Sequence, residues 1–159
     1  MARPTGTLEW KLSSLAHSMH VTEEDVQLYF TDGRRISFLL ERRIAYELLN
    51  GTLAPSEGAG WDVRDAQGEK WEVRSISQGG VYFCPSYMVG SGRSFEEAGF
   101  LRKLDEVSGY VVSYITAFPS IPVWTVPTAT VRSWWLSGLL GTSTKASREN
   151  ALRLVETAH

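Results

Sequence analysis

Residues 58–77 read GAGWDVRDAQGEKWEVRSIS, and this stretch decides the fold class that the sequence predicts. Within it, WDVRD (61–65) and KWEVRSI (70–76) alternate in the manner of strands, because successive side chains of a strand point to opposite faces of the sheet. The intervening AQGE contains Gly68 and is a turn former. We therefore predict two neighbouring antiparallel strands joined by a short turn.

Upstream of this hairpin the pattern is helical. Apolar residues recur at helical spacing over residues 35–50, and Gly51 suits the end of that helix. Nearer the N-terminus, residues 8–17 are predicted as a short helix, and Thr22, followed by three acidic residues, is predicted to cap a second one. The segment VQLYF (26–30) fits either a continuation of this helix or a strand.

Downstream of the hairpin, GVYFCPSYMV (80–89) is predicted as a third strand, and Ser94 with Glu97 has the spacing of a capping box for a helix over 95–107. GYVVSYI and IPVWTVP are apolar runs typical of buried strands. TATVRSWWLSGLLG, stopped by Gly141, and SRENALRLVETA are predicted as helices. The sequence therefore predicts an α/β (α+β) fold, in which a mixed central sheet is flanked by helices.

The bulk composition narrows the functional classes. A chain of 159 residues fits one domain, residues 1–159, and Cys84 is its single cysteine, which excludes an internal disulfide framework. The net charge of −2 differs from the basic balance of a nonspecific nucleic-acid binder. The N-terminal residues lack the apolar stretch of a signal peptide, and no apolar run reaches membrane length, so we expect a cytoplasmic protein without membrane contacts. The sequence contains no HExxH motif and no P-loop.

The hairpin also carries the residues with the clearest chemistry. Asp62 begins the first strand and Glu72 lies in the second, so antiparallel pairing brings the two carboxylates together. Lys70, Glu72 and Arg74 share one face of the second strand, because side chains alternate. Carboxylate oxygens suit Mg²⁺, and neighbouring cations can stabilise a phosphate that is being cleaved. Two acids on a hairpin also occur by chance as a solvated surface turn.

The context of these acids resembles the PD-(D/E)xK nuclease superfamily, and type II restriction endonucleases in particular. The likeness covers about twenty residues closely. An Asp (Asp62) is followed by a second Asp three residues later, a Gly at plus six, and then an aromatic-Glu-x-cation-Ser-Ile run over 71–76. The resemblance implies that Asp62 and Glu72 bind Mg²⁺, or Mn²⁺ as a substitute, with the Val73 carbonyl as a third ligand. Glu41, on the preceding helix, is a further candidate ligand.

The chain departs from the superfamily at Arg74, where a lysine is usual. A guanidinium stays protonated, so it can stabilise charge and orient a phosphate but cannot give up a proton. Three outcomes remain open. Arg74 acts purely electrostatically, or Lys70 on the same face supplies the movable amine, or the protein is catalytically weakened and mainly binds DNA or a partner.

DNA contacts are expected downstream of the hairpin, where the resembled enzymes carry base-reading residues. Serine, tyrosine and arginine side chains can donate to bases or phosphates, and the start of the last helix offers a phosphate site with two cations. The candidate DNA-binding residues are Tyr82, Ser86, Tyr87, Ser91, Arg93, Lys145 and Arg148.

Together these features predict a Mg²⁺-dependent, site-specific DNA endonuclease that acts on double-stranded DNA as a homodimer. Residues 1–34 are expected to form an N-terminal helical dimerisation segment, and residues 35–159 the catalytic core. A cognate methyltransferase acting on the same site is a further expected partner. The alternatives are a nuclease-like protein that binds DNA or a partner without cleavage, and an unrelated α/β interaction protein.

Overall fold

The computed structural model of the chain describes residues 1–157, and their strands form one six-stranded mixed sheet and one two-stranded sheet. The strands are β1 (Arg3–Glu9), β2 (Thr52–Leu53), β3 (Val63–Arg64), β4 (Lys70–Ile76), β5 (Val81–Tyr82), β6 (Gly109–Tyr114), β7 (Ser120–Pro127) and β8 (Lys145–Ala146).

The large sheet has the strand order β1-β7-β6-β4-β3-β2. Strands β4 and β6 run parallel, with Glu72 opposite Tyr110 and Arg74 opposite Val112, and every other pair is antiparallel. The predicted hairpin is present as β3 and β4. The predicted α/β class with a mixed sheet is therefore confirmed.

Six α-helices within residues 1–157 surround the sheet. A π-helical turn, Ile44–Leu48, extends the third of them. The helices are α1 (Leu12–Met19), α2 (Glu23–Phe30), α3 (Gly33–Arg43), α4 (Glu97–Glu106), α5 (Thr128–Leu136) and α6 (Arg148–Glu156). Short 3₁₀ turns lie at Glu57–Ala59, Ser86–Met88, Ile115–Ala117 and Thr142–Thr144.

Each face of the sheet is covered by a different set of helices. Val73 and Val111 pack with helices α1–α3 on one face, whereas Tyr110 and Val112 pack with helices α4–α6 on the other. Because side chains alternate along a strand, Glu72 and Arg74 point to the face that α4 covers. The crossover helix α4 therefore lies over the predicted catalytic strand.

The N-terminal prediction was wrong in part. Residues 3–9 form an edge strand on β7, and the helix begins only at Leu12 rather than at Leu8. An edge strand pairs on one side and is mostly solvated, so β1 buries only Leu8 and gives no alternating pattern to read. The segment 26–30 is helical, and Thr22 caps it through a capping box with Asp25.

Three downstream predictions also need correction. The third strand covers only Val81–Tyr82, because the next two amides, of Phe83 and Cys84, donate to the Thr144 hydroxyl instead of continuing the ladder, and Ser86 lies in a 3₁₀ turn. Helix α4 begins at Glu97 with no side-chain cap, so Ser94 forms no capping box. Helix α5 ends at Leu136, well before Gly141, because Gly138 adopts a left-handed φ of 69°. Within residues 1–157, no helix has the length and apolar character needed to cross a membrane.

Candidate active site

The two predicted carboxylates lie on one side of the sheet. Asp62 immediately precedes β3, and its Oδ2 accepts a hydrogen bond of 2.8 Å from the Val73 amide on β4. Its own amide donates to the Trp71 carbonyl at 3.0 Å, which continues the β3–β4 pairing by one residue. Asp62 is thus anchored across the hairpin beside Glu72, and both residues line one cavity of about 380 Å³.

A second aspartate shapes the turn of this hairpin. Asp65 Oδ1 accepts hydrogen bonds from the amides of Gln67 and Glu69, and its Oδ2 accepts one from Trp71 Nε1, each at 2.9 Å. Gly68 has a φ of 87°, which a residue without a side chain adopts at little cost. Asp65 and Gly68 therefore fix the turn that brings Asp62 beside Glu72.

Glu72 is buried between two cations. Only 6% of it is exposed, and its two oxygens lie 2.7 Å from Arg74 Nη1 and 2.6 Å from Lys103 Nζ. A solvated surface turn, one of the alternatives raised by the sequence, does not describe this residue. A buried carboxylate needs such partners, because desolvating an unpaired charge is costly.

Lys103 was missed by the sequence prediction. It lies on α4, where its neighbours Phe100 and Leu104 face the core, and it is 9% exposed. Its Nζ also donates to the Gly60 carbonyl, two residues before Asp62. A lysine within the apolar stripe of a helix was the available signal, since lysine is rarely buried without a partner. We call the cavity that Asp62, Glu72 and Lys103 line the acidic cavity.

Arg74 is bound chiefly to the protein framework. Its Nε donates to the Tyr82 carbonyl at 3.2 Å, and its Nη1 donates to the Val73 carbonyl at 3.2 Å as well as pairing with Glu72. Its Nη2 lies 3.4 Å from the Cys84 carbonyl. The guanidinium therefore ties β4 to the segment 82–84.

Neither Lys70 nor Glu41 lines the acidic cavity. Lys70 Nζ is 5.8 Å from the centre of the Trp61 ring. Glu41 lines a neighbouring cavity of about 410 Å³ that Asp62 also borders. Asp62 thus stands between the two cavities, with Glu72 on one side and Glu41 on the other.

Burial and mutual repulsion perturb two of these acids. Burial raises the pKa of Glu41 to about 7, and the charge of Asp62 adds to the effect. Burial also raises the pKa of Asp62, with a further upward contribution from Glu72, while the Val73 amide and the Arg74 charge oppose it. Added positive charge near Asp62 would relieve this repulsion, as a divalent cation does.

Within residues 1–157, no three His, Cys, Asp or Glu side chains are grouped so that they could hold a metal ion. The donors that the site offers are the carboxylates of Asp62 and Glu72 and the nearby Val73 carbonyl, which accepts a hydrogen bond from Arg74 Nη1. All are hard oxygen donors, and Mg²⁺ commonly binds through one or two carboxylates while keeping several waters. This donor set fits Mg²⁺ or Mn²⁺.

A larger depression of about 750 Å³ lies on the other side of Arg74, between the start of α3 and the β5–β8 pair. We call it the open groove. Among the candidate DNA-binding residues, Tyr82, Ser86 and Lys145 line it, and Arg148 is bonded to the groove residue Gln78 at 2.8 Å. Other polar residues along it are Thr31, Asp32, Arg34, Ser37, Arg74, Ser75 and Ser77.

The remaining candidates lie outside the open groove. Tyr87 borders the acidic cavity instead. Arg93 donates to the carbonyls of Ser86 and Val89, each at 3.1 Å, and Ser91 is exposed. The structure therefore groups some of the candidates with the groove and separates others from it.

No family model matches the chain, and a search of curated proteins finds no match. Function is therefore inferred from the site itself.

Proposed function

We propose that this protein is a Mg²⁺-dependent, sequence-specific DNA endonuclease of the type II restriction kind, built on a PD-(D/E)xK core. The observation that carries the proposal is the convergence of Asp62 and Glu72 from neighbouring strands into one cavity with two cations. The topology also supports it: β4, the strand that carries Glu72, pairs in parallel with β6, and the connection between the two strands contains α4.

The metal ligands in this proposal are Asp62, Glu72 and the Val73 carbonyl, with Glu41 near enough to Asp62 to influence the same charge. When bound, Mg²⁺ or Mn²⁺ lowers the pKa of a coordinated water and offsets charge on the cleaved phosphate. The chain's own residues orient this chemistry: the Val73 amide holds Asp62, and two cations hold Glu72.

The DNA duplex is proposed to lie along the open groove, with its cleaved strand at the acidic cavity. Arg74 borders both depressions, so a backbone that follows the groove passes this residue on its way to the carboxylates. The exposed cations Arg34 and Lys145 suit phosphate contacts. A homodimer would supply one cavity for each strand of a palindromic site, in a cytoplasm where a cognate methyltransferase protects host DNA.

A digest of unmethylated plasmid and phage DNA tests the proposal. Discrete fragments are expected with Mg²⁺ or Mn²⁺ and none with EDTA. The matched control is Asp62→Asn, which keeps an oxygen acceptor for the Val73 amide but removes the charge. Its activity is expected to fall by roughly 10²–10³-fold or more, as for other lost electrostatic contacts in active sites. DNA left intact by the purified protein in both metals would overturn the proposal.

One observation favours a second candidate, a nuclease-like protein that binds DNA without cutting it. Both oxygens of Glu72 are paired with cations, and Arg74 uses most of its donors on backbone carbonyls. This candidate predicts DNA retention in a gel shift without cleavage, and unchanged retention for Glu72→Ala. Cleavage by the wild-type protein would exclude it.

A further inference from the structure

Glu72 and Lys103 are the only charged residues within 1–157 that are buried. Their 2.6 Å contact joins a strand to the crossover helix that lies over it. The same ammonium reaches back to the Gly60 carbonyl, in the loop that leads to Asp62. Lys103 therefore bridges the loop that carries one carboxylate and the strand that carries the other.

At the centre of the acidic cavity the formal charges cancel, because Asp62 and Glu72 contribute two negative charges and Arg74 and Lys103 contribute two positive ones. Three exposed residues on its rim, Glu57, Arg102 and Glu106, add one net negative charge. A divalent cation entering a neutral site gains less than one entering a negative site, because each neighbouring cation repels it. A phosphodiester arriving with the metal brings a negative charge that offsets this repulsion.

We propose that Lys103 is a positioning residue that couples metal binding to DNA binding. Its ammonium holds Glu72 beside Asp62 and neutralises it, so that a divalent cation binds tightly only when a DNA phosphate is also present. This inference rests on the proposed function and adds Lys103 to its site through the contacts with Glu72 and the Gly60 carbonyl. Arg74 contributes charge as well, but its framework bonds to the Tyr82 and Cys84 carbonyls hold it in place.

The test compares the wild-type protein with Lys103→Met, Lys103→Arg and Lys70→Met. Methionine keeps an unbranched stem of similar length without the charge, and Arg153→Met, on the exposed face of α6, is the matched control. Two readouts are measured for each: calorimetric titration with Mn²⁺, without and with a non-cleaved phosphorothioate duplex, and kcat and KM for cleavage.

For Lys103→Met we expect Mn²⁺ affinity without DNA to rise roughly tenfold and its enhancement by DNA to shrink, because a repelling charge is gone. We expect kcat to fall roughly 10²-fold with a smaller change in KM. Lys103→Arg should retain most of the coupling and recover kcat to within about tenfold of wild type, because it keeps the charge. Arg153→Met should behave as wild type, and Lys70→Met tests the rival assignment of the movable amine.

Unchanged Mn²⁺ affinity and coupling in Lys103→Met would overturn the inference, as would a loss of kcat in Lys70→Met that Lys103→Met does not share. Should Lys103→Met fail to fold, Lys103→Arg decides: coupling and kcat near wild type support the inference, and loss of both overturns it. A wild-type protein that binds Mn²⁺ with the expected Lys103 dependence but cuts no DNA would refute the nuclease proposal alone. No Mn²⁺ binding by any variant would refute both.

Discussion

The acidic cavity and the open groove meet at Arg74 yet differ in volume, burial and charge. The cavity, about 380 Å³, contains two buried and paired charges, whereas the groove, about 750 Å³, carries exposed cations at Arg34 and Lys145. Buried charges are coupled to folding, and exposed charges act mainly on diffusing partners. Substitutions in the cavity should therefore alter stability and chemistry, while those of the exposed groove cations should alter affinity alone.

The largest difference between the two regions is expected when Glu72 is removed. Glu72→Ala leaves Lys103 buried and Arg74 half-buried without their shared carboxylate, and we expect the free energy of unfolding to fall by about 3–5 kcal/mol. Denaturant unfolding measures the loss. Asp105→Ala breaks an ion pair of similar length, 3.0 Å to Arg132, but its carboxyl is 76% exposed, so it should cost less than about 1 kcal/mol. Equal losses in the two variants would show that burial does not distinguish the cavity.

A glycine that lines the groove provides a second test, with a smaller expected loss of stability. Gly80 has a φ of 96°, and a Cβ there would lie 2.1 Å from the Ala146 carbonyl oxygen, so Gly80→Ala should separate β5 from β8. We expect a loss of about 2–4 kcal/mol, from the left-handed backbone and the clash together. Gly68→Ala, at a φ of 87° with open space around it, should cost only about 1 kcal/mol. The difference between the melting temperatures of the two variants measures the effect of the clash. Equal melting temperatures would show that the clash is absent.

The same two regions show what the sequence could reveal. Alternation placed Asp62 and Glu72 on one hairpin, and helical spacing predicted the helix that precedes it, because those are local patterns. The strand β6 followed from its apolar run. The edge strand β1 and the two-residue strands β2 and β8 were missed, because partly solvated or very short strands bury too few side chains to leave a period. The strand β5 was predicted, but at too great a length.

The candidate site was predicted only as far as the hairpin extends. Lys103 is 31 positions beyond Glu72, and its contact depends on how the crossover helix packs across β4. The open groove likewise combines β5 with the start of α3 and with β8, and these last two segments are more than 100 residues apart. No local pattern encodes such packing. The one hint was a lysine among the core-facing residues of α4.

Charges along the groove offer a third test, which rests on the proposed function. Arg34→Ala and Lys145→Ala should each weaken binding of a DNA duplex about fivefold at 100 mM salt, without changing the melting temperature. Each should also lower the slope of log affinity against log salt by roughly 0.9, one phosphate contact. Fluorescence anisotropy over a salt series measures both. Arg132→Ala, whose partner Asp105 borders a different depression, should leave affinity and slope unchanged; an equal effect there would mean that the groove is not the binding surface.

The smallest expected effect concerns Glu41, beside the cavity. Its folded-state pKa of about 7 exceeds the ordinary 4.5, so between these values the folded protein binds more protons than the unfolded chain. Stability is therefore lost as pH rises from 4.5 to 7 and stays lost above it. Glu41→Gln removes that cost, and because the side chain is half-buried and screened by solvent, we expect a gain of at most about 1 kcal/mol at pH 8 and none at pH 4.5. Melting curves in EDTA measure the difference, with the exposed Glu156→Gln as control. A gain that is equal at both pH values would mean that packing, rather than the charge next to Asp62, is the cause.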